Sequence, residues 1–528
     1  MLHLHQVNRI LEPEGMRAPR VVIIGAGVAG LAAALELAFL GLDVEVVERA
    51  AGPGGKMREV EVGGARLDAG PTVLTMRWVF EEIFAAAGAN LADHVPMRQA
   101  AIIARHAWSA EERLDLYADT DKSEDAIGRL AGAAEARGYR EFCRCARRIY
   151  ETLEEPFIRS PRPRLLSLIA GAGLTGLADL WALRPFSTLW GALGEFFADP
   201  RLRQLFARYA TYCGSSPFLA PATLMLVAHV ESQGVWLVEG GMHRLAAALA
   251  ELAARSGARF RYGSEVSEIV VEAGRAAGVK LARGERLDAD AVVVNADAAA
   301  IADGLFGSAV AHAVPAVDRR ARSLSAVTWS LLANADGFPL LRHNVFFSRD
   351  YRAEFSDIVQ HQRLPAAPTV YVCAQDREDH DEKAPDHAGR FLCIVNAPPT
   401  GDRDPLNQAE LEACGERTFS HLERCGLFLH HRPETVLVTD PAAFERLFPA
   451  TGGALYGRAS QGWKASFDRP IARSKLPRLY LAGGSVHPGP GVPMAALSGR
   501  LAAASLVSDI ALTQPSRRTD TRGGISMP

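Results

Sequence analysis

The chain has 528 residues, 48% hydrophobic and 23% charged, enough for a large core and, at ordinary domain sizes, about two to four structural units. Its 58 basic and 61 acidic side chains leave a net charge of -3, which offers no attraction to a phosphate backbone and argues against nucleic acid as a partner. Seven cysteines at irregular spacing fit a reducing compartment. Only Cys143 and Cys145 stand close together, with no second pair at zinc-site spacing, so no metal site is expected.

The first residues carry Arg9, Glu12, Glu14 and Arg17 and lack the apolar core of a secretory leader. No run of about 20 apolar residues stands out as a spanning helix, so a protein of the cytoplasmic side is expected. The run Arg20–Ile24 reads as a buried strand, and after a glycine turn residues 31–40 read as a helix. A second strand over 43–48 completes a βαβ unit and starts a parallel sheet. Residues 91–233 are largely helical in pattern. They include a basic stretch (Arg137, Arg140, Arg144, Arg147, Arg148, Arg159, Arg162, Arg164) followed by the apolar run 165–183. Then come Gly240-Gly241, a helix over 243–255, and strands over 259–262 and 291–295. Strand-like runs fill 323–397, a helix covers 407–427, and a strand over 478–482 precedes a Gly/Pro loop and a helix over 494–510. The polar tail reads as disordered. Sheet-forming pieces are thus scattered, which predicts an α/β protein. Its Rossmann-like domain is assembled from 20–92, 234–302 and 446–512. A helical, membrane-proximal region (93–233) and an α+β substrate domain (303–445) are inserted between these pieces, and 513–528 form the tail.

Gly25-Ala26-Gly27-Val28-Ala29-Gly30 lies between strand and helix, the context that a G-x-G-x-x-G fingerprint requires. The first glycine makes the tight turn, the second lets a pyrophosphate approach, and the third brings helix to strand. Phosphates would face the helix N-terminus, and Glu48, ending the second strand, would accept the ribose hydroxyls. The later segments point to FAD rather than NAD. Gly54-Gly55 and Asp68-Ala69-Gly70-Pro71 form a second flavin-type segment. Leu479-Tyr480-Leu481-Ala482-Gly483-Gly484 leads into a proline-rich loop and a helix whose N-terminus would stabilise negative charge on the ring. His487 is read as packing within that loop.

These motifs, with Gly234-Val235-Trp236, Glu239-Gly240-Gly241 and Val294-Asn295-Ala296-Asp297, resemble the bacterial phytoene desaturase-type carotenoid desaturases over residues 20–510. The stretches 70–80 and 448–457 look most like members that dehydrogenate hydroxylated or methoxylated neurosporene. The resemblance implies bound FAD, held by Gly25, Ala26, Gly27, Gly30, Glu48, Arg49, Gly55, Lys56, Met57, Gly70, Pro71, Thr72, Val266, Gly483, Gly484, Pro493 and Met494. It implies a linear carotenoid substrate that loses a hydride to the flavin and a proton. Separately, the arginine-rich sequence beside the apolar run predicts peripheral attachment to the cytoplasmic side of the inner or photosynthetic membrane through about Arg137 to Phe197. Some members carry a candidate acid or base in the helical region, but 156–178 hold no carboxylate except Asp179 just beyond. No proton acceptor or electron acceptor is therefore named. The alternatives left open are a phytoene or neurosporene desaturase, an amine or protoporphyrinogen oxidase, and a non-enzymatic prenyl-lipid-binding protein of the GDP-dissociation-inhibitor type.

Overall fold

The structure, a computed structural model, describes residues 17–163, 184, 186–380, 383, 385–462, 465 and 467–513. Its first layer is a five-stranded parallel sheet of β1 (Arg20–Ile24), β2 (Asp43–Val47), β3 (Arg259–Arg261), β4 (Ala291–Val294) and β5 (Leu479–Leu481). The spatial order is β5-β4-β1-β2-β3, so the strands do come from three distant parts of the chain. A parallel sheet is covered on both faces, and alternation along β1 divides its residues between two layers. Val21 and Ile23 pack under the helices α1 (Val28–Phe39), α2 (His243–Arg255) and α3 (Val492–Thr513). Val22 and Ile24 pack against an antiparallel meander of Val266–Glu272, Arg275–Leu281 and Arg286–Asp288. That double burial is why β1 reads as an unbroken apolar run.

By length and composition α3 is apolar enough to cross a bilayer, which the sequence reading did not anticipate. In the fold half of it is buried, lying along α1. Gly499 makes the close approach possible: a Cβ there would stand 2.1 Å from the Ala29 carbonyl oxygen. Beside this contact Arg500 bonds Glu36 of α1 at 2.5 Å and Glu82 of the helix Arg77–Ala86 at 2.6 Å. It is a core helix of the nucleotide-binding domain.

The second layer is an eight-stranded sheet built around Ser325–Asp336, Gly389–Ala397, Val370–Ala374 and His343–Phe346. One face buries Val327, Trp329, Val372 and Cys393 against Cys414 and Leu422 of the helix Gln408–Arg424. The other face is turned toward the first domain. Residues 93–233 differ from the helical expectation at their start, where Ile102–Ala107 and Arg113–Tyr117 form a hairpin. Ile102–Ala107 then pairs in parallel with His343–Phe346, extending the substrate sheet. Five of its six residues are buried by a partner far along the chain, which periodicity within a short window does not reveal. The helix Ala133–Leu153 follows and leaves Arg137, Arg140, Arg144, Arg147 and Arg148 exposed along one side. The apolar run 165–183 and the tail 514–528 lie outside the described residues.

Gly499→Ala is expected to push α3 off α1 and lower stability by about 1–3 kcal/mol. A thermal melt of the purified protein, compared with wild type, measures the loss.

Candidate functional site

The turn after β1 is built by backbone proximity. Gly25 sits at φ 96°, and a Cβ on it would come within 2.9 Å of the Asn295 carbonyl oxygen. Gly30 leaves no room either, since its Cβ would be 2.2 Å from the Gly25 carbonyl oxygen. Gly27 is crowded by a side chain, with Asn295 Oδ1 2.7 Å from the position of its Cβ. Asn295 accepts from Gly30 N–H at 3.0 Å and donates to the Ala482 carbonyl at 3.1 Å, so it joins all three pieces of the domain. Glu48 does more than await a ribose. Its carboxylate accepts the Ala26 amide at 2.7 Å and the Ala50 amide at 2.8 Å, holding the glycine turn against β2. Each oxygen keeps lone-pair capacity for a hydroxyl.

Gly54 N–H bonds the Ala26 carbonyl at 2.9 Å, and Gly55, at φ 57°, packs on Gly27. The second glycine pair is thereby laid against the first loop. Beyond it Lys56 is half-buried, and desolvation pulls its ammonium below the usual lysine range while Asp297 opposes. It donates to the Leu455 carbonyl at 2.5 Å. Gly70 passes so close to Lys56 that a Cβ would meet the Lys56 carbonyl oxygen at 1.9 Å. Asp68 turns away from this path and caps α2, accepting Met242 N–H at 2.7 Å and His243 N–H at 3.2 Å. At the far end buried Arg469 donates to the carbonyls of Tyr456 (3.2 Å), Gly484 (3.2 Å) and Arg458 (2.6 Å), clamping that loop to β5. His487 is buried, its Nε2 3.0 Å from the Ser160 carbonyl and its ring edge-on to Phe157. Burial pushes its pKa down to about 4, so it packs as a neutral ring.

One continuous cavity of about 1140 Å³ runs past these groups. Gly25, Gly27, Glu48, Arg49, Gly55, Lys56, Met57, Gly70, Pro71, Thr72, Val266, Gly483, Gly484, Pro493 and Met494 all line it. Ala26 and Gly30 do not. The first is fully buried on Glu48 and the second packs on Gly25, so both shape the cradle from behind. Arg49 lines the wall but points outward to the Arg446 carbonyl at 3.0 Å and to the Leu447 carbonyl. A glycine cradle that any Cβ would fill, an acidic acceptor beside it and a long slot fit FAD. The volume exceeds the usual ligand pocket of roughly 300–1,000 Å³, leaving space beyond the cofactor.

That space is floored by the inner face of the substrate sheet, where Thr328, Ile394, Tyr371 and Val345 form one cross-strand row. Leu153, Phe157, Val227 and Val230 close it from the helical region. Polar groups are knotted at one place. Tyr371 OH lies 2.6 Å from Thr72 Oγ1 and 2.7 Å from His343 Nδ1, with His343 held neutral by burial at about 3. Tyr209 and Tyr212 each donate to Glu231 at 2.8 Å, and Arg208 donates to Tyr212 OH at 2.8 Å. Burial raises the Glu231 carboxyl, opposed by Arg208 and the two phenols. A second buried carboxyl, Glu354, accepts from Ser348 (2.8 Å) and Thr369 (2.6 Å), and burial lifts it to about 7. The sequence reading missed Asn295 as a tie, Arg469, and the Arg208–Tyr212–Glu231 group. Asn295 sat within a quoted motif, but the others carry no spacing signal.

A dinucleotide cradle opening on a second, largely apolar chamber defines a flavin-dependent oxidoreductase. The comparisons agree. The chain belongs to the flavin-containing amine oxidoreductase family, matched over residues 28–507, and within it to the carotenoid desaturases. It is 54% identical over 514 residues to hydroxyneurosporene desaturase of Rubrivivax gelatinosus, spanning 97% of this chain and 98% of that protein. It is 45% identical to hydroxyneurosporene desaturase of Cereibacter sphaeroides, over 93% of this chain and 98% of the relative. An oxidoreductase from Methanosarcina mazei has the same fold, with a TM-score of 0.58 at 18% identity over 91% of this chain and 99% of that one.

Glu48→Gln should weaken FAD binding by about 10–100-fold, the loss of one or two charge-assisted hydrogen bonds. Flavin fluorescence released on dilution of the holoprotein gives the dissociation constant. An unchanged value would show that Glu48 serves the turn alone.

Proposed function

We propose that the chain desaturates acyclic carotenoids bearing a hydroxyl or methoxyl at C1, introducing the C3–C4 double bond in carotenoid biosynthesis. The observation that carries this reading is the apolar chamber continuing past the flavin wall, lined by Leu153, Phe157, Val227, Val230 and Ile394, in a chain of the carotenoid desaturase family. Bound FAD supplies the hydride acceptor. The protein's own residues orient a flexible chain and keep water from it, and such positioning accounts for much of the rate. C4 is allylic to the polyene, so positive charge left by hydride loss is delocalised along the conjugated chain. C1 bears oxygen and no hydrogen, which leaves C3–C4 as the CH₂ pair beside the polyene. An amine oxidase reading is less well supported, because Glu231 already accepts hydrogen bonds from two tyrosines. Holoenzyme given 1-hydroxyneurosporene and neurosporene should convert the first much faster, seen as a red shift from one added conjugated bond. Equal rates, or good activity on phytoene, point instead to a general carotenoid desaturase.

The protein is further read as docking on the cytoplasmic face of a membrane through its helical region. The exposed arginines of Ala133–Leu153 support this, since a basic surface is drawn to anionic headgroups. The attraction is moderated by ion pairs of Arg140 with Glu124, Arg144 with Glu141 and Arg147 with Glu151. Flotation with anionic liposomes is expected to carry the protein upward in a salt-dependent way; absence of binding would reject the reading.

A further inference from the structure

Resting on the substrate class just proposed, we infer that Arg208 reads the oxygen at C1 and sets the enzyme's preference for oxygenated carotenoids. The chemistry confines where a reader can be. Only C2 separates the oxygen-bearing carbon from the bond that reacts. With reacting atoms about 3–3.5 Å apart and a hydrogen bond of about 2.7–3.2 Å, the reader must stand close to the flavin wall. A polar group at the distant end of the chamber is out of reach. Thr72 lines the cavity two residues after Gly70, which packs on Lys56 beside the glycine cradle, and Tyr371 is bonded to it. The Arg208 guanidinium lies 5.9 Å from the Tyr371 ring centre and 5.0 Å from that of Tyr212. Arg208 lines the cavity.

The Ser325, Thr328 and Tyr351 hydroxyls also line the cavity without a partner, but of the knot's own members only Arg208 keeps several unused donors. The Tyr371 hydroxyl already has Thr72 and His343 as partners. The Tyr212 hydroxyl accepts from Arg208 and donates to Glu231, whose other oxygen takes Tyr209. One Glu354 oxygen is shared by Ser348 and Thr369 and the other has no partner, but Glu354 does not line the cavity. Arg208 has five N–H donors but makes a single hydrogen bond and no ion pair among the described residues. Glu231, reached through the Tyr212 hydroxyl, offsets its charge without capping it. A guanidinium donates only. It therefore recognises the lone pairs that a hydroxyl and a methoxyl share, and it should accept both while rejecting the carotenoid that lacks oxygen. A site built to bond an oxygen discriminates strongly because its own donors are otherwise left unpaired.

The test uses FAD-loaded wild type, Arg208→Met and the charge-neutral double variant Arg208→Met/Glu231→Gln, each checked for flavin content. Each is assayed with 1-hydroxyneurosporene, 1-methoxyneurosporene and neurosporene. Equilibrium binding of the desaturated hydroxy product is followed through the flavin absorbance. Wild type should favour both oxygenated substrates over neurosporene by about 10²–10⁴-fold. In the variants the preference should collapse toward one, with the loss expressed in KM and in weaker product binding. A parallel fall on all three substrates would make Arg208 structural and overturn the assignment. Retained preference for hydroxyl over methoxyl in the variants would overturn it as well, pointing to an acceptor as reader. A wild type indifferent to oxygen would instead sink the substrate reading itself. If the methionine variants lose flavin, Arg208→Lys keeps the charge that offsets Glu231 and should still narrow the preference; an unaltered ratio overturns the assignment.

Discussion

Asn295 bonds the amide of Gly30 at the start of α1 and the carbonyl of Ala482 at the end of β5, and the rest of the architecture depends on that bridge. Its side chain also occupies the space that Cβ atoms on Gly27 or Gly30 would need. The glycines are thus required twice, once for the cofactor's approach and once for this amide. A short polar side chain at the end of a buried strand does what no helix contact does here: it fixes the relative height of three chain segments within hydrogen-bond tolerance. The cradle inherits its shape from that constraint.

From this point the two domains share a single cavity because one segment serves both. Residues 68–72 leave the strand Ala65–Asp68, where Asp68 caps α2 and its backbone exchanges two bonds with Gln375 of the substrate domain. A few residues later Thr72 meets Tyr371. Cofactor wall and substrate floor are therefore stapled together by main-chain and side-chain bonds at several heights. Alternation in the substrate sheet completes the arrangement, with Trp329 and Val372 packed beneath and Thr328 and Tyr371 facing the chamber.

The legible parts were those in which local pattern and tertiary role coincide. The helix His243–Arg255 has the bounds read from sequence, since its apolar face repeats at helical spacing and glycines precede it. The glycine loops were legible because the backbone conformation they demand excludes other residues. The hairpin Ile102–Tyr117 was not, because its strand identity is conferred by His343–Phe346 far along the chain. Likewise the 17 implied cofactor positions gather at one slot apart from Ala26 and Gly30, which stand behind it. The substrate-side group draws Arg208, Tyr209 and Tyr212 from the 3₁₀ turn Arg208–Cys213, Glu231 from the helix Leu226–Ser232 and Tyr371 from the strand Val370–Ala374. No spacing rule links them; only the fold does.

The parallel sheet has a further consequence for how the protein comes into being. β1 is among the first described residues, yet β4 and β5 beside it are Ala291–Val294 and Leu479–Leu481. During synthesis the glycine turn must wait, without its Asn295 tie or its α3 cover, until the residues of β4, β5 and α3 have left the ribosome. Such long-range pairing is slow and exposes apolar surface meanwhile. The cradle that would hold the cofactor is therefore complete only once β4, β5 and α3 have joined β1.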